Sequence, residues 1–270
     1  METPSFASVM AGILVTVLAG ASSVAGAQGF SAYVSPPRFE VKAAAGQTSR
    51  HVVEIHQASQ LPGRFRIYTN DWDFQNDDAL QFSEALAPDS CRPWVALERR
   101  ELTVPANARY RFRFEIAPPA DTPPRECRFA IMVEGLDVAT VDQGSFRFPV
   151  AGRLGVIVYV AVAGAEAKLA VGNPRVAVRD GERLPVVDVT NSGNAHGRLE
   201  GFLSGTDAAG KEFELIPEDS PVLPGRTRAV TLRQFAERGE KPPAIQYPLT
   251  VKGTLEWGKR RESLDLRFEP

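Results

Sequence analysis

The sequence predicts an all-β protein built from two β-sandwich domains. Most of the chain after residue 30 consists of segments with β-branched or aromatic residues at alternating positions, bounded by Pro, Gly or Asn. These segments recur at intervals of roughly 8 to 15 residues, which is typical of sandwiches. No convincing amphipathic helix is indicated, and 233–240 is the only short candidate.

The first 27 residues predict a secretory signal peptide. The stretch VMAGILVTVLAGASSVAGA supplies an apolar core, and Ala25-Gly26-Ala27 fits an A-x-A cleavage site. The region before this core carries Glu2 and no Lys or Arg, which departs from the usual signal pattern. An uncleaved membrane anchor is the alternative, although the apolar run is short for a spanning helix. We expect the mature chain to be exported and to have no stable membrane insertion.

The first domain is predicted over 28–164. Its strands alternate apolar and polar residues; Phe112, Phe114 and Ile116 face one way, and the intervening charged residues face the other. The sequence PANA at 105–108 predicts a turn between two of the strands. The predicted strands lie at 51–57, at 64–74, on either side of this turn within 101–119, and at 127–135.

The second domain is predicted over 165–270, with the boundary near AGAEA at 163–167. Two tight turns are indicated by Asp-Gly and Ser-Gly chemistry in RDGE (179–182) and NSGN (191–194). Further strands are predicted at 167–171, 174–179, 184–190, 197–204 and 211–216, and in the segments that follow.

The longest alternation, GSFRFPVAGRLGVIVYVAV, covers 144–162 and predicts one long strand at the end of the first domain. Its even positions are apolar apart from two glycines, and Arg153 is a charge near its middle. The section from Val156 to Val162 is predicted to be ordinary core.

The only two cysteines, Cys91 and Cys127, predict a disulfide. An isolated pair in an exported protein is typical of a disulfide, and two sulfurs without a nearby His do not make a zinc site. The bond would close a loop of about 36 residues and contribute roughly 3–4 kcal/mol by the chain-entropy description.

Composition and motifs argue against several functions. The 31 basic and 33 acidic residues are nearly balanced, whereas nucleic-acid binders usually have a basic surplus. No nucleophile elbow or phosphate loop is present, and the three histidines have no ligand spacing. Asp71 and Asp73 flank Trp72 and could be an acid–base pair, but loop or capping roles are favoured. We expect no enzyme activity, no cofactor and no metal.

Three regions carry a resemblance to a known family: 34–74 with VSPPRFEV at its start, 91–116 with CRPW and a Pro-containing turn, and 186–205 with VVDVTNSGN. With PVLPGRTRAV and the 144–162 strand, they are similar to periplasmic pilus-assembly chaperones of the chaperone–usher family. The resemblance covers about 34–268. It implies two immunoglobulin-like sandwiches in a bent arrangement, a periplasmic location, and pilus or fibre subunits and an outer-membrane usher as partners.

The resemblance also implies a carboxylate anchor. In the family two basic residues in the cleft hold the C-terminal carboxylate of a subunit, one on the first strand and one on the last strand of the first domain. These positions correspond to Arg38 and Arg153. The family usually has Lys at the second position, and Arg can grip a carboxylate through two parallel hydrogen bonds.

The resemblance further implies a donor strand, an edge that pairs with an incomplete subunit and fills its groove with alternate side chains. Its donated residues correspond to Phe146, Phe148 and Val150, and Gly144 lies where a fourth would be. The alternative is that these side chains cover their own domain. An exposed apolar edge at 144–152 would also allow self-association.

Two other functions stay open at this stage. The same sandwiches could belong to an exported structural or adhesive protein, because a fold does not specify a function. They could also form a polysaccharide-binding module with Trp and Tyr as sugar platforms.

Overall fold

The computed structural model describes residues 30–75, 79–137, 139–143, 146–150, 152–179, 181–236 and 242–270. These residues form strands and a single 3₁₀ turn, Arg92–Trp94, which confirms the all-β prediction. None of them belongs to a helix with the length and apolarity that a bilayer span requires.

The described residues between 30 and 162 form the N-terminal sandwich. Its strands are β1 Ala32–Ser35, β2 Arg38–Ala43, β3 Ser49–Gln57, β4 Gly63–Gln75, β5 Ala79–Ser83, β6 Val95–Leu97, β7 Glu101–Val104, β8 Arg109–Ile116, β9 Arg125–Gly135, β10 Ala139–Gln143, β11 Phe146–Val150 and β12 Arg153–Val162. One sheet has the order β1-β3-β8-β6 and the other has the order β2-β12-β9-β4-β5, with β7 also paired to β4.

Alternating side chains of both sheets fill the space between them. Phe112, Phe114 and Ile116 on β8 have at most 1% exposure, as the sequence pattern predicts. They pack with the inward residues of β9 and β12, including Phe129 and Val158. Because successive side chains point to opposite faces of a strand, the alternating apolar residues produce this core directly.

The long strand predicted over 144–162 is wrong as a single element. β12 pairs with β9, whereas β11 pairs with β10 in a separate two-stranded hairpin. The pairing shifts by two residues between Arg153–Glu134 and Val150–Ala139, and such a shift bends a hairpin and ends the regular ladder. The β10–β11 hairpin thus follows the β9–β12 pair after an interruption of the ladder.

The strands of the C-terminal sandwich are β13 Leu169–Arg179, β14 Glu182–Asn191, β15 Leu203–Thr206, β16 Glu212–Pro217, β17 Thr227–Gln234, β18 Leu249–Trp257 and β19 Arg260–Phe268. They follow one hydrogen-bonded path, β13-β14-β17-β16-β15-β18-β19. Both ends of this path supply side chains to one core, from Leu169 at the start to Phe268 at the end, so the sheet closes over itself.

The strand predicted at 197–204 is also wrong. Only Leu203–Thr206 is a strand; the preceding residues form a loop with isolated bridges at Gly197 and Glu200. Gly201 has φ +130, a conformation that interrupts a strand. The loop instead brings His196 and Arg198 against the N-terminal sandwich.

Candidate functional site

An open sheet edge along β11 and the start of β12 forms the candidate site. Among the described residues, β11 has no partner on the side away from β10, and β12 has none on the side of β2 before Ile157. β2 begins opposite Ile157 at Arg38, and the two preceding prolines have no N–H with which to extend a ladder. We call the described backbone between 146 and 156 the free edge.

The predicted donor residues Phe146, Phe148 and Val150 all lie in β11. Their backbones pair with β10, opposite Gln143, Val141 and Ala139. Their side chains and Gly144 fall outside the described part of the chain, so their role in a groove stays a prediction.

Arg38 and Arg153 lie on the same face of the six-stranded sheet. Val156 and Val158 are fully buried in the core, so the alternate positions of β12, including Arg153 and Ile157, lie on the outer face. Arg38 is paired with Ile157 and shares its face. Arg153 is four residues before this pair, about 13 Å along the strand. The two arginines thus flank the last section of the free edge.

Arg38 already has acidic partners. Its Nε lies 3.2 Å from Glu40 Oε1, and its Nη1 lies 3.3 Å from Asp219 Oδ2 on the C-terminal sandwich. The side chain is still 41% exposed, so a further anion has access to it. Exposed ion pairs of this kind are weak, and exchanging one carboxylate for another costs little.

Arg153 has a neutral partner. Its Nη1 donates to the Tyr68 hydroxyl at 3.4 Å, and it forms no ion pair with any described residue. The hydrogen bond with Tyr68 raises the pKa of Arg153, with a smaller contribution from the charge of Glu134. Glu134 itself is held by Arg66 at 2.6 Å. Arg153 is therefore an exposed cation with room for a carboxylate.

An aromatic ring lies on the outer face between these two arginines. A Cβ placed on Gly155 would lie 2.6 Å from Phe82 Cζ, so the ring covers this glycine. Phe82 is paired with Trp72 across β4 and β5 and packs against the cluster of Trp72, Met132 and Tyr159. The surface between the arginines is consequently apolar.

His196 extends from the C-terminal sandwich into a pair of carboxylates on the N-terminal sandwich. Its Nδ1 lies 2.6 Å from Glu126 Oε2, and its Nε2 lies 3.6 Å from Glu40 Oε1. The ring stacks on Tyr159 with 3.8 Å between centroids. Arg198 completes the group by pairing with Glu40 at 3.5 Å and Asp219 at 3.0 Å.

Mutual contacts shift the pKa values of this group. The contact with His196, with the nearby charges of His196, Arg198 and Arg38, lowers the pKa of Glu40 to about 2. Burial alone would lower the pKa of His196, but the hydrogen bonds and charges of Glu126 and Glu40 outweigh it, and the pKa is raised. The cluster therefore favours an imidazolium between two carboxylates.

Sequence reasoning missed Glu40, Glu126 and His196 in this group. Glu40 had a weak signal, because it is two residues from Arg38 on the same predicted strand and so on the same face. His196 had none, since its partner Glu126 is 70 residues away in the chain.

The other residues considered from the sequence have structural roles. Asp71 accepts hydrogen bonds from Ala87 N and Ser90 Oγ, which is the predicted capping role. Trp72 and Trp257 are only 4% and 7% exposed, and Trp94 is partly buried beside Arg125, so no tryptophan offers a flat sugar platform. The described residues include no group of three or more side chains suited to a metal ion.

The predicted disulfide is confirmed. Cys91 and Cys127 are bonded, with 5.8 Å between their Cα atoms. Cys91 is fully buried and Cys127 is 5% exposed, so the bond lies within the core of the N-terminal sandwich.

No family model matches the chain, and no curated protein matches it in sequence. Solved structures with a similar fold do exist. The class 5 fimbriae chaperone CfaA aligns over 88% of this chain and 99% of its own, at 12% identity and a TM-score of 0.48. The E. coli chaperone DraB aligns over 88% and 97%, at 14% identity and a TM-score of 0.47.

A third structure is a complex of CsuC with the tip subunit CsuE, from the archaic chaperone–usher Csu pili of Acinetobacter baumannii. It aligns over 89% of this chain and 100% of its own, at 12% identity and a TM-score of 0.44. The chain is similar to fimbrial and pilus chaperones.

Proposed function

We propose that the protein is a periplasmic chaperone that binds pilus or fimbrial subunits through the free edge and passes them to an outer-membrane usher. The subunit would add a strand along β11 and the start of β12, and the chaperone would supply the strand that the subunit lacks. This function needs no catalysis, because backbone pairing and side-chain burial supply the free energy of binding.

The observation that carries the proposal is the open slot beside β12. β2 occupies this slot from Ile157 onward, and the prolines before Arg38 stop it there. A guest strand could pair with the rest of this side, alongside the residues from 156 back to 146. An unprotected edge of this length is a liability unless another chain pairs with it.

The two arginines support a carboxylate anchor at the end of this slot. A guest strand that runs up to β2 must stop at Arg38, and a chain terminus is the natural way to stop. Its carboxylate would lie between Arg38 and Arg153 on the outer face, within reach of two cations. This arrangement would set the register of every residue before it.

The donor residues Phe146, Phe148 and Val150 would fill the groove of the guest. They occupy alternate positions of β11, the spacing with which a donated strand fills a groove. Two phenylalanines and a valine offer a large apolar area to an incomplete sandwich. Export by the N-terminal segment would place the protein in the periplasm.

A peptide-binding assay tests this proposal. The probe is a synthetic peptide of about ten residues with alternating apolar side chains, prepared with either a free C-terminal carboxylate or an amide. We expect the acid to bind at least about tenfold more tightly by fluorescence anisotropy, because its carboxylate can pair with the two arginines. A tenfold difference in affinity corresponds to about 1.4 kcal/mol. Arg38→Ala and Arg153→Ala should each reduce this preference.

Arg50→Ala is the matched control. Arg50 is an exposed strand arginine paired with Glu115 on the other sheet, so its loss should leave the acid preference unchanged. Phe146→Asp with Phe148→Asp should weaken the acid and the amide equally. If neither peptide binds, and candidate subunits co-expressed with the protein do not co-purify with it, the chaperone function is wrong.

A further inference from the structure

The base of the β10–β11 hairpin is formed by two glycines. Gly135 ends β9 and Gly152 immediately precedes β12, and Gly135 N donates to Gly152 O at 2.9 Å. Both lie on the core side of the sheet, in a row with Phe65 of β4. Because neither glycine has a side chain, this row has an opening in its inner surface.

The ring of Phe30 fills this opening. A Cβ placed on Gly152 would lie 1.8 Å from Phe30 Cγ, and one on Gly135 would lie 2.9 Å from Phe30 Cδ2. Phe30 also meets the Phe65 ring edge-on, with 6.2 Å between centroids, and packs against the core. The side-chain atoms nearest to both of these Cβ positions belong to Phe30.

This contact lies where the hairpin needs support. Among the described strands, β10 and β11 pair only with each other. A two-stranded hairpin without further packing is marginally stable in water. An aromatic ring over strand glycines restores the packing that the missing side chains would provide.

We propose that Phe30 is a positioning residue that sets the orientation of the β10–β11 hairpin by filling the glycine socket at its base. The segment before β1 would thereby control how the free edge is presented to a guest strand. The positioning role stands on the packing alone, whereas its consequence for guest binding rests on the proposed chaperone function.

Hydrogen exchange measured by mass spectrometry on the full chain tests the positioning role. Phe30→Ala should speed amide exchange in 139–143 and 146–150 by about tenfold or more, because the hairpin then opens locally. Exchange in β18 and β19, in the other sandwich, should not change. Phe30→Leu, which refills part of the socket, should restore much of the protection.

The glycine provides an independent test by coupling. Gly152→Ala should also speed exchange in the hairpin, since its Cβ displaces the ring. The double variant with Phe30→Ala should be no worse than Phe30→Ala alone, because the displaced ring is already gone. Gly172→Ala is the matched control: Gly172 lies in a strand with open space around its Cβ, and the change should have no effect on the hairpin.

Two results would overturn the inference. One is unchanged exchange of the hairpin in Phe30→Ala while β3 and β8 lose protection, which would make Phe30 a general core residue. The other is simple addition of the Phe30→Ala and Gly152→Ala effects. Peptide binding by the wild type is a separate measurement, so its absence would reject the chaperone function and leave the positioning result intact.

Discussion

Arg38 has two roles at the scale of single residues. It pairs with Asp219 and Glu40 in the structure, and it lies where the guest carboxylate is proposed to bind. Among the described residues, the Tyr68 hydroxyl is the hydrogen-bond partner of Arg153. A bound carboxylate would therefore compete with directly paired acidic residues at Arg38, and at Arg153 with the nearby charges of Glu134 and Glu84. We expect Arg153 to contribute more of the net binding free energy.

His196 makes the interface between the two sandwiches dependent on pH. Its raised pKa means that the imidazolium stabilises the folded state fully below the ordinary value of 6.5, and that this stabilisation is lost as the pH rises through the folded value. The lowered pKa of Glu40 acts in the other direction, so its contribution is lost as the pH falls from 4.5 toward about 2. Together these two effects place the greatest stabilisation of the folded state by this group between pH 4.5 and 6.5.

His196→Gln should remove the alkaline loss. The wild type should show a free energy of unfolding that falls as the pH rises above about 6.5 in urea titrations, and the variant should show a flatter profile. His51 is a suitable control because burial lowers its pKa, so His51→Gln should alter the acidic limb instead. Identical pH profiles for wild type and His196→Gln would contradict the imidazolium assignment.

At the scale of elements, the disulfide joins the turn at Arg92–Trp94 to β9 in the six-stranded sheet. The loop before it is irregular, and Asp71 holds its backbone at Ala87. Without the covalent link, this segment would depend on such hydrogen bonds and on the burial of Trp94. We infer that the disulfide limits the freedom of a long loop in the unfolded chain.

Replacing Cys91 and Cys127 together by alanine should lower the free energy of unfolding by about 3–4 kcal/mol. Guanidinium titration with and without a reducing agent measures this loss. The reduced wild type should approach the stability of the double variant, while the variant itself should not respond to the reductant. An unchanged midpoint in reduced wild type would show that the bond contributes little.

The element boundaries show which local features a sequence pattern can predict. β13 is one strand where two were predicted, because a register shift between Gly172 and Arg175 lets the ladder continue through the apparent break. The tight turn predicted at 179–182 is consistent with the observed pairing of Arg179 with Glu182. Local turn chemistry is visible in the sequence, whereas bulges depend on the partner strand.

At the scale of the whole molecule, the two sandwiches share an apolar contact as well as charges. Leu223, on the C-terminal sandwich, is 4% exposed and packs in the cluster of Trp72, Met132 and Tyr159. Backbone contacts reinforce it: Glu126 N donates to Asn194 O at 2.8 Å. The interface therefore joins the outer face of the sheet that carries both arginines to the second sandwich.

Leu223→Ala should weaken this coupling by roughly 2–4 kcal/mol and separate the unfolding of the two sandwiches. Differential scanning calorimetry should then show a broader or split transition compared with the wild type. Leu232→Ala removes a similar side chain from inside the C-terminal core and should lower the stability of that sandwich without loosening the interface around Trp72. A single sharp transition in Leu223→Ala would contradict the coupling.

Much of the fold is contained in local patterns. Alternation marks strands such as β8 and β9, and the pairing of two lone cysteines follows from their isolation. These features depend on residues near each other or on simple counting. The two arginines could be placed only through a resemblance, because one surface arginine looks like any other.

The tertiary structure was needed for the rest. The alternation at 144–162 continues through Gly152, yet the strand is interrupted there, where the pairing shifts between β11 and β12 and where the Phe30 ring, from a distant part of the chain, covers the glycine. The pKa of His196 is raised by carboxylates that lie on the other sandwich. The free edge exists because β2 begins only at Arg38, opposite Ile157, a residue more than a hundred positions later in the chain. Side-chain periodicity is local, but pairing, packing and pKa depend on what lies across space.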